Sequence, residues 1–327
     1  CAVFQRRRTQ GRICDGHGDL RCDHVYFYRG IQILDGVEFN DKFRCGDTAL
    51  DMAFLTMDLD HLGFGDLARI LLEAYVVATQ DPGLFAVLDF YAAYRAMVRL
   101  KIACLTIDQV PSAQSARPRA QAQLYLEQAY RCALQFSRPV LWVVCGLPGT
   151  GKSTLAEGLH RALQWDWLQS DALRKQSCQT EGTVLAYGQK CYQRQWRDRV
   201  YTQMFGQIQQ RLKAGRSVIA DATFSRRKWR REAARLAALA DAGLVVVECR
   251  CDEAVICERL ARRSDSQGLS DARIEHWPAL RDEFEPICEC SPRTHVTVNT
   301  GQDAIHALSR ALCQAHGCLQ EQILMKY

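Results

Sequence analysis

The sequence predicts an α/β chain in which a mostly helical segment precedes a parallel sheet covered on both faces. Three observations lead there. Beyond residue 140, short apolar runs alternate with long stretches of helical periodicity, the rhythm of a parallel sheet. From Ala49 to Cys104, runs such as ALDMAFLTMDLDHL and FGDLARILLEAYVVA repeat apolar residues at three and four, the spacing of amphipathic helices. Between the two, Val110 to Ala122 reads VPSAQSARPRAQA, with two prolines and no apolar period, as a linker does. A length of 327 residues suits two domains. The expected divisions are 1–110, a linker with a connecting helix over 111–137, and 138–327.

In chain order, Val25 to Tyr28 and Ile31 to Leu34 flank Arg29-Gly30 and read as a β-hairpin. The helices up to Cys104 follow. Strands are expected at Val140 to Cys145, in WDWLQS, and at Ser217 to Ala220, Leu244 to Cys249 and Thr294 to Val298. Helices are expected at Ser153 to Leu163, Tyr187 to Ala214, Arg226 to Ala242 and Glu253 to Arg263.

Composition narrows the function classes. Hydrophobic residues at 48% and charged residues at 24% exclude global disorder. No apolar run reaches the length of a membrane span, and Arg6, Arg7 and Arg8 are not followed by an apolar signal core. A soluble cytoplasmic protein with no membrane partner is therefore expected. Residues 1–110 carry 12 basic and 15 acidic side chains, and the remainder carries 30 and 22. That basic excess suits a polyanion, although charge alone speaks to association rather than function, so nucleic acid is not the favoured partner. Sixteen cysteines without a CxxC or a zinc-spaced His cluster read as reduced thiols. The first residue, Cys1, suggests a piece of a longer chain.

The densest chemical signal is Gly146-Leu147-Pro148-Gly149-Thr150-Gly151-Lys152-Ser153-Thr154, directly after the apolar strand LWVVC and at the start of a helical run. Glycines let backbone amides turn inward around a polyphosphate, and the helix N-terminus adds positive potential. In such a loop Lys152 reaches the β- and γ-phosphates and Ser153 offers its hydroxyl to Mg²⁺. Asp171 follows the strand WDWLQS and faces the same crevice, where it suits a base for an attacking hydroxyl; Arg174 lies one turn on and suits an acceptor or phosphate contact. Asp221 ends SVIA, the place of a Mg²⁺-holding carboxylate. Both aspartates also suit helix N-caps. Arg262 and Arg263, ahead of Arg259, are placed to swing from a lid onto a transferring phosphoryl group, with a solvated helix end as the competing reading. The basic run Arg226 to Arg235 reads as a solvated helix face.

These residues resemble the P-loop kinases of small molecules and polynucleotides, gluconate kinases and zeta-toxin-like kinases among them. The resemblance spans about 140 to 300 and implies a five-stranded parallel sheet, ATP and magnesium as cosubstrates, and transfer to a hydroxyl. Upstream, His17-Gly18-Asp19-Leu20-Arg21 and Asp35-Gly36-Val37-Glu38-Phe39 resemble the catalytic and metal loops of aminoglycoside phosphotransferases, across roughly 11 to 106. That match implies Asp19 as base, Asp35 as a Mg²⁺ ligand and Glu38 as a weaker metal candidate. His24 stands where that family has a metal-binding Asn, a substitution of nitrogen for the oxygen that Mg²⁺ prefers. Sixteen residues precede His17, too few for an ATP-clamping lobe, so this segment is expected to be an incomplete and silent site. The order of the two halves resembles bacterial proteins described as bifunctional aminoglycoside phosphotransferase/ATP-binding proteins.

The sequence thus points to an ATP- and Mg²⁺-dependent phosphotransferase acting on a small hydroxylated acceptor through its second domain. A polynucleotide 5′-hydroxyl kinase and a non-catalytic ATP-binding regulatory module are the alternatives. Neither the acceptor nor the oligomeric state follows from the sequence.

Overall fold

The computed structural model describes residues 2–178, 194–262 and 274–326. The chain divides into two compact units, one of residues 1–137 with 323–327 and one of 138–322. Architecturally it is α/β, a helical region followed by a five-stranded parallel sheet. No described helix is long and apolar enough to cross a membrane.

In the first unit, α1 (Ala2–Thr9) leads into β1 (Ile13–Asp15), and β2 (Val25–Phe27) with β3 (Ile31–Ile33) forms the expected hairpin. After α2 (Asp41–Arg44), β4 (Cys45–Asp47) returns to pair antiparallel with β1, Ile13 opposite Asp47. Then come α3 (Thr48–His61), α4 (Gly65–Thr79), α5 (Leu88–Gln109) and α6 (Ala116–Ser137). Asp47 starts α3 as its N-cap, accepting from the Ala49 amide at 2.9 Å. The same carboxylate takes two hydrogen bonds from buried Arg7, which also forks onto Asp81 at 2.9 and 3.0 Å. One guanidinium therefore ties α1 to the head of α3 and to the turn after α4. The connecting helix α6 starts early, at Ala116, because Pro118 falls in its first turn, where a missing amide costs no helical bond.

The second unit is built on β5 (Val140–Cys145), whose six residues VLWVVC are all buried. Around it run α7 (Lys152–Leu163), β6 (Asp166–Gln169), α8 (Ser170–Cys178), α9 (Arg194–Lys213), β7 (Val218–Asp221) and α10 (Arg227–Leu239). The chain continues through β8 (Gly243–Arg250), α11 (Glu253–Arg262), α12 (Trp277–Asp282), β9 (His295–Asn299) and α13 (Ala304–Leu324). The strand order is β6-β7-β5-β8-β9, all neighbours parallel. A continuous apolar β5 is what burial on both faces demands. Leu141, Val143, Val218, Ala220 and Val246 meet Met204, Ile208, Phe224 and Leu236 in the core beside it. Tyr201 lies flat on Trp229, ring centroids 4.5 Å apart, and its hydroxyl accepts from the Phe224 amide at 2.9 Å. Arg230, on the buried face of α10, is paired with Glu289 and donates to the Phe224 carbonyl at 2.8 Å.

Candidate active site

The carboxyl ends of β5, β6 and β7 lie side by side, with Val144 paired to Asp221 and Gln169 paired to Asp221. Ligands of open parallel sheets sit at this edge, where chain connections diverge to either side. Here β5 leads toward β6 on one flank while β8 and β9 occupy the other. The loop from Gly146 to Gly151 fills the divergence point and passes directly into α7.

Backbone geometry explains the glycines. Gly146 has φ 136°, and a Cβ there would sit 2.6 Å from the Cys249 carbonyl oxygen, so only glycine fits between β5 and β8. Gly151 takes φ 81° as the N-cap of α7. The loop is pinned from several sides. Gly146 donates its amide to the Thr223 carbonyl at 3.2 Å, and Thr150 donates its hydroxyl to the Leu147 carbonyl at 2.7 Å. Thr300, just past β9, donates its hydroxyl to the Thr150 carbonyl. Lys152 arches back over the loop, with Nζ donating to the Leu147 carbonyl at 2.8 Å.

Asp221 is 4% exposed at the end of β7. Burial raises its pKa above the ordinary carboxylate value; the Lys152 charge and hydrogen bonding with Ser153 and Gln169 pull it back, while the Asp171 charge pushes it further up. Lys152, Ser153, Asp171 and Asp221 thus share one electrostatic neighbourhood. Asp171 lies in the first turn of α8 and accepts from Arg174 at 3.1 Å. It stays part-exposed while Arg174 is nearly buried. Burial pushes the nearby thiols up, Cys249 to about 12 and Cys145 well above its ordinary value, which disfavours thiolate chemistry at the site.

Of the two described arginines after β8 that were expected near the loop, Arg259 lies against it and Arg262 does not. Arg259 donates to the Gly149 carbonyl at 3.4 Å and to the Thr300 carbonyl at 2.8 Å, which places it against the loop. Arg262 points elsewhere: its guanidinium is exposed and paired with Glu258 one turn back. Arg263 lies outside the described residues. The reason is helical phase. Ile256 and Leu260 are the buried face of α11, and Arg259 borders that face whereas Arg262 falls well round the helix. Thr300 and Gln169 carried no motif signal, and only the fold brings Thr300 to the loop and Gln169 to Asp221.

The loop HGDLR also folds into a cluster. His24 is buried between the two aspartates, with Nδ1 against the Asp19 carbonyl at 2.8 Å and Nε2 3.5 Å from an Asp35 carboxylate oxygen. Arg21 donates to Asp19 at 3.3 Å and approaches His24 Nε2 at 2.9 Å. Asp19 and Asp35 are therefore brought together, but with an imidazole between them and a guanidinium in the same space. That donor set does not fit Mg²⁺, which takes oxygen ligands. Among the described residues no group of three or more acidic, His or Cys side chains is arranged to hold a metal.

A family model described as an AAA domain matches residues 141–287. The second unit is a P-loop domain. Uncharacterized protein Rv2004c of Mycobacterium tuberculosis (strain ATCC 25618 / H37Rv) is 35% identical over 285 residues, 85% of this chain and 55% of its own length. Uncharacterized protein Mb2027c of Mycobacterium bovis gives the same figures. The chain thus spans about half the length of these relatives. Among solved structures, a gluconokinase from Sinorhizobium meliloti 1021 is 18% identical, with 58% of this chain and 99% of that one covered and a TM-score of 0.44. The APS kinase CysC of Mycobacterium tuberculosis, in complex with AMPPNP and APS, is 16% identical, with the same coverage and a TM-score of 0.38.

Proposed function

We propose that the P-loop domain is an ATP- and Mg²⁺-dependent phosphotransferase that moves the γ-phosphate to a hydroxyl of a small molecule. The observation that carries this reading is the meeting of Lys152, Ser153 and the buried Asp221 at the carboxyl edge of the sheet, with Asp171 beside them. A glycine-lined loop that a single Cβ would block suits close approach of a polyphosphate to backbone amides. The donors fit magnesium: a buried carboxylate whose charge burial penalises, next to a hydroxyl, is an oxygen site that gains from a cation. A magnesium ion there would neutralise charge on the β- and γ-phosphates.

The chain's own groups divide the remaining work. Gly146 to Gly151 orient the phosphates, and Lys152 exchanges its Leu147 carbonyl for them. Asp171 accepts the proton of the attacking hydroxyl, held in direction by Arg174. Arg259, one side chain away from the loop, is the cation best placed for the developing charge. An acceptor of nucleic-acid type is a second reading that the basic excess of the C-terminal part allows, and an ATP-binding regulatory role is a third.

The test is γ-phosphate transfer from labelled ATP to panels of sugars, nucleosides, aminoglycosides and 5′-hydroxyl oligonucleotides. Lys152→Ala should abolish transfer to every acceptor. Asp171→Asn should retain ATP binding and slow transfer by about 10² to 10⁴, the usual worth of a general base. Loss of ATP affinity at an unchanged rate per bound complex would make Asp171 a nucleotide or structural residue instead.

A further inference from the structure

The basic run after β7, which reads in the sequence as a solvated helix face, lines a cleft in the structure. Arg226, Arg227, Lys228, Arg231 and Arg235 surround about 480 Å³, a volume within the range of small-molecule sites. Glu232 and Glu285 share the cleft, so five cations face two carboxylates. Both carboxylates are committed: Glu232 is forked by Arg235 at 2.7 and 2.8 Å, and Glu285 accepts from the Arg227 amide at 2.5 Å. Arg227 reaches Glu289 at 3.6 Å, and Lys228 reaches Asp198 at 3.2 Å. The guanidinium groups of Arg226 and Arg231 have no hydrogen-bond or ion-pair partner among the described residues.

The placement of these charges runs against helix preference. A helix N-terminus carries partial positive charge and favours carboxylates, yet the first turn of α10 holds no acidic residue and opens Arg226-Arg227-Lys228. An anion in the cleft relieves that repulsion and gives the open guanidinium groups their partners. Arg227, Arg231 and Arg235 follow at single-turn intervals on one face of α10, a stripe about 12 Å long. The lining decides the kind of anion. No aromatic or aliphatic side chain among the described residues lines the cleft, so a base or a sugar ring finds no wall to lie on. Trp229, in the middle of the run, is stacked on Tyr201 and has Lys228 Nζ 3.9 Å from its ring centroid. It offers no open face for the stacking on which single-stranded nucleic acids rely.

We infer that the cleft at the head of α10 is a binding site for an inorganic oligophosphate, a chain of three or more phosphates held chiefly by Arg226 and Arg231. The cleft shares no residue with the loop from Gly146 to Ser153. It stands whether or not the P-loop domain transfers phosphate.

The experiment is calorimetric titration of the full chain with inorganic tripolyphosphate, without magnesium, at an ionic strength of about 0.15 M. A polyphosphate also suits the P-loop, so the titration is run in a Lys152→Ala background. Tripolyphosphate should bind there, and sulfate at matched ionic strength should bind far more weakly. The double variant Arg226→Gln with Arg231→Gln should weaken tripolyphosphate about tenfold or more, because each guanidinium removed takes charge-assisted hydrogen bonds with it. Arg231→Gln alone, a change to an exposed side chain, should already weaken it about threefold or more. Arg69→Gln with Arg161→Gln removes the same charge from other helices and should change little. Absence of binding, equal weakening by the two double variants, or no weakening by either overturns the site. A short DNA duplex or single strand that binds more tightly than tripolyphosphate, and is weakened by the Arg226 and Arg231 changes, would make the cleft a nucleic-acid contact and overturn the oligophosphate assignment.

Discussion

Asp221 sets its proposed magnesium-holding role against stability within one side chain. Its pKa is raised chiefly by burial, so the folded protein holds the proton more tightly than the unfolded chain does. The sign follows: the ionised group costs nothing below the ordinary aspartate range, and its penalty appears as pH rises through that range and persists at neutrality. Asp221→Asn should accordingly be more stable than the parent at pH 7 without magnesium, and the difference should close as pH falls to about 4, near the unperturbed aspartate pKa. Thermal melts at the two pH values measure it; a less stable Asn variant at pH 7 would mean that the Lys152 contact outweighs burial. Adding Mg·ATP should reverse the order, since a ligand stabilises only the form that binds it.

Among the elements, α10 buries Ala233, Leu236 and Ala237 in the core and adds a buried ion pair. Arg230 joins it to Glu289 and to the Phe224 carbonyl, with Pro286 accepting a further bond at 3.2 Å. Arg230→Met leaves Glu289 with the looser Arg227 contact at 3.6 Å, and breaking a buried pair on one side costs up to about 3 to 5 kcal/mol. Urea titration should show that loss; a change below about 1 kcal/mol, the size of a surface pair, would mean that Glu289 finds solvent. Elements of this unit were largely legible in the sequence because β5, β7 and β8 are uninterrupted apolar runs and the glycines around Lys152 have a steric reason to be there. What escaped was phase and partnership. Nothing local tells that Arg259 rather than Arg262 borders the Ile256–Leu260 face, because the direction of α11 is set by what it packs against. Thr300 reaches Thr150 only because β9 lies beside β8, a pairing that joins residues far apart in sequence. Helix α13 was missed, its apolar rows being interspersed with Cys, His and Gln. In the Val110 to Ala122 stretch the start of the connecting helix was not legible, because prolines and small residues hide its period, and Pro118 sits where a first turn tolerates it.

At the scale of the molecule, turnover should belong to the P-loop unit alone. The cluster at Asp19 and Asp35 contains His24 and Arg21 where a metal site needs oxygen, so it lacks the cation that phosphoryl transfer requires. In a Lys152→Ala background, transfer to any acceptor should be at blank level and Asp19→Ala should change nothing. A residual activity that disappears with Asp19→Ala would assign chemistry to the first unit. The stacked pair of Tyr201 and Trp229 has a consequence of another kind. All six tryptophans fall between 138 and 322, so tryptophan emission reads the P-loop unit, whereas the helical unit emits only through its tyrosines. The Tyr201 hydroxyl meets Thr223, whose carbonyl receives the Gly146 amide. The first glycine of the loop is thus linked, through two residues, to an indole, and a change in tryptophan emission on adding Mg·ATP is the expected optical sign of nucleotide binding at the loop.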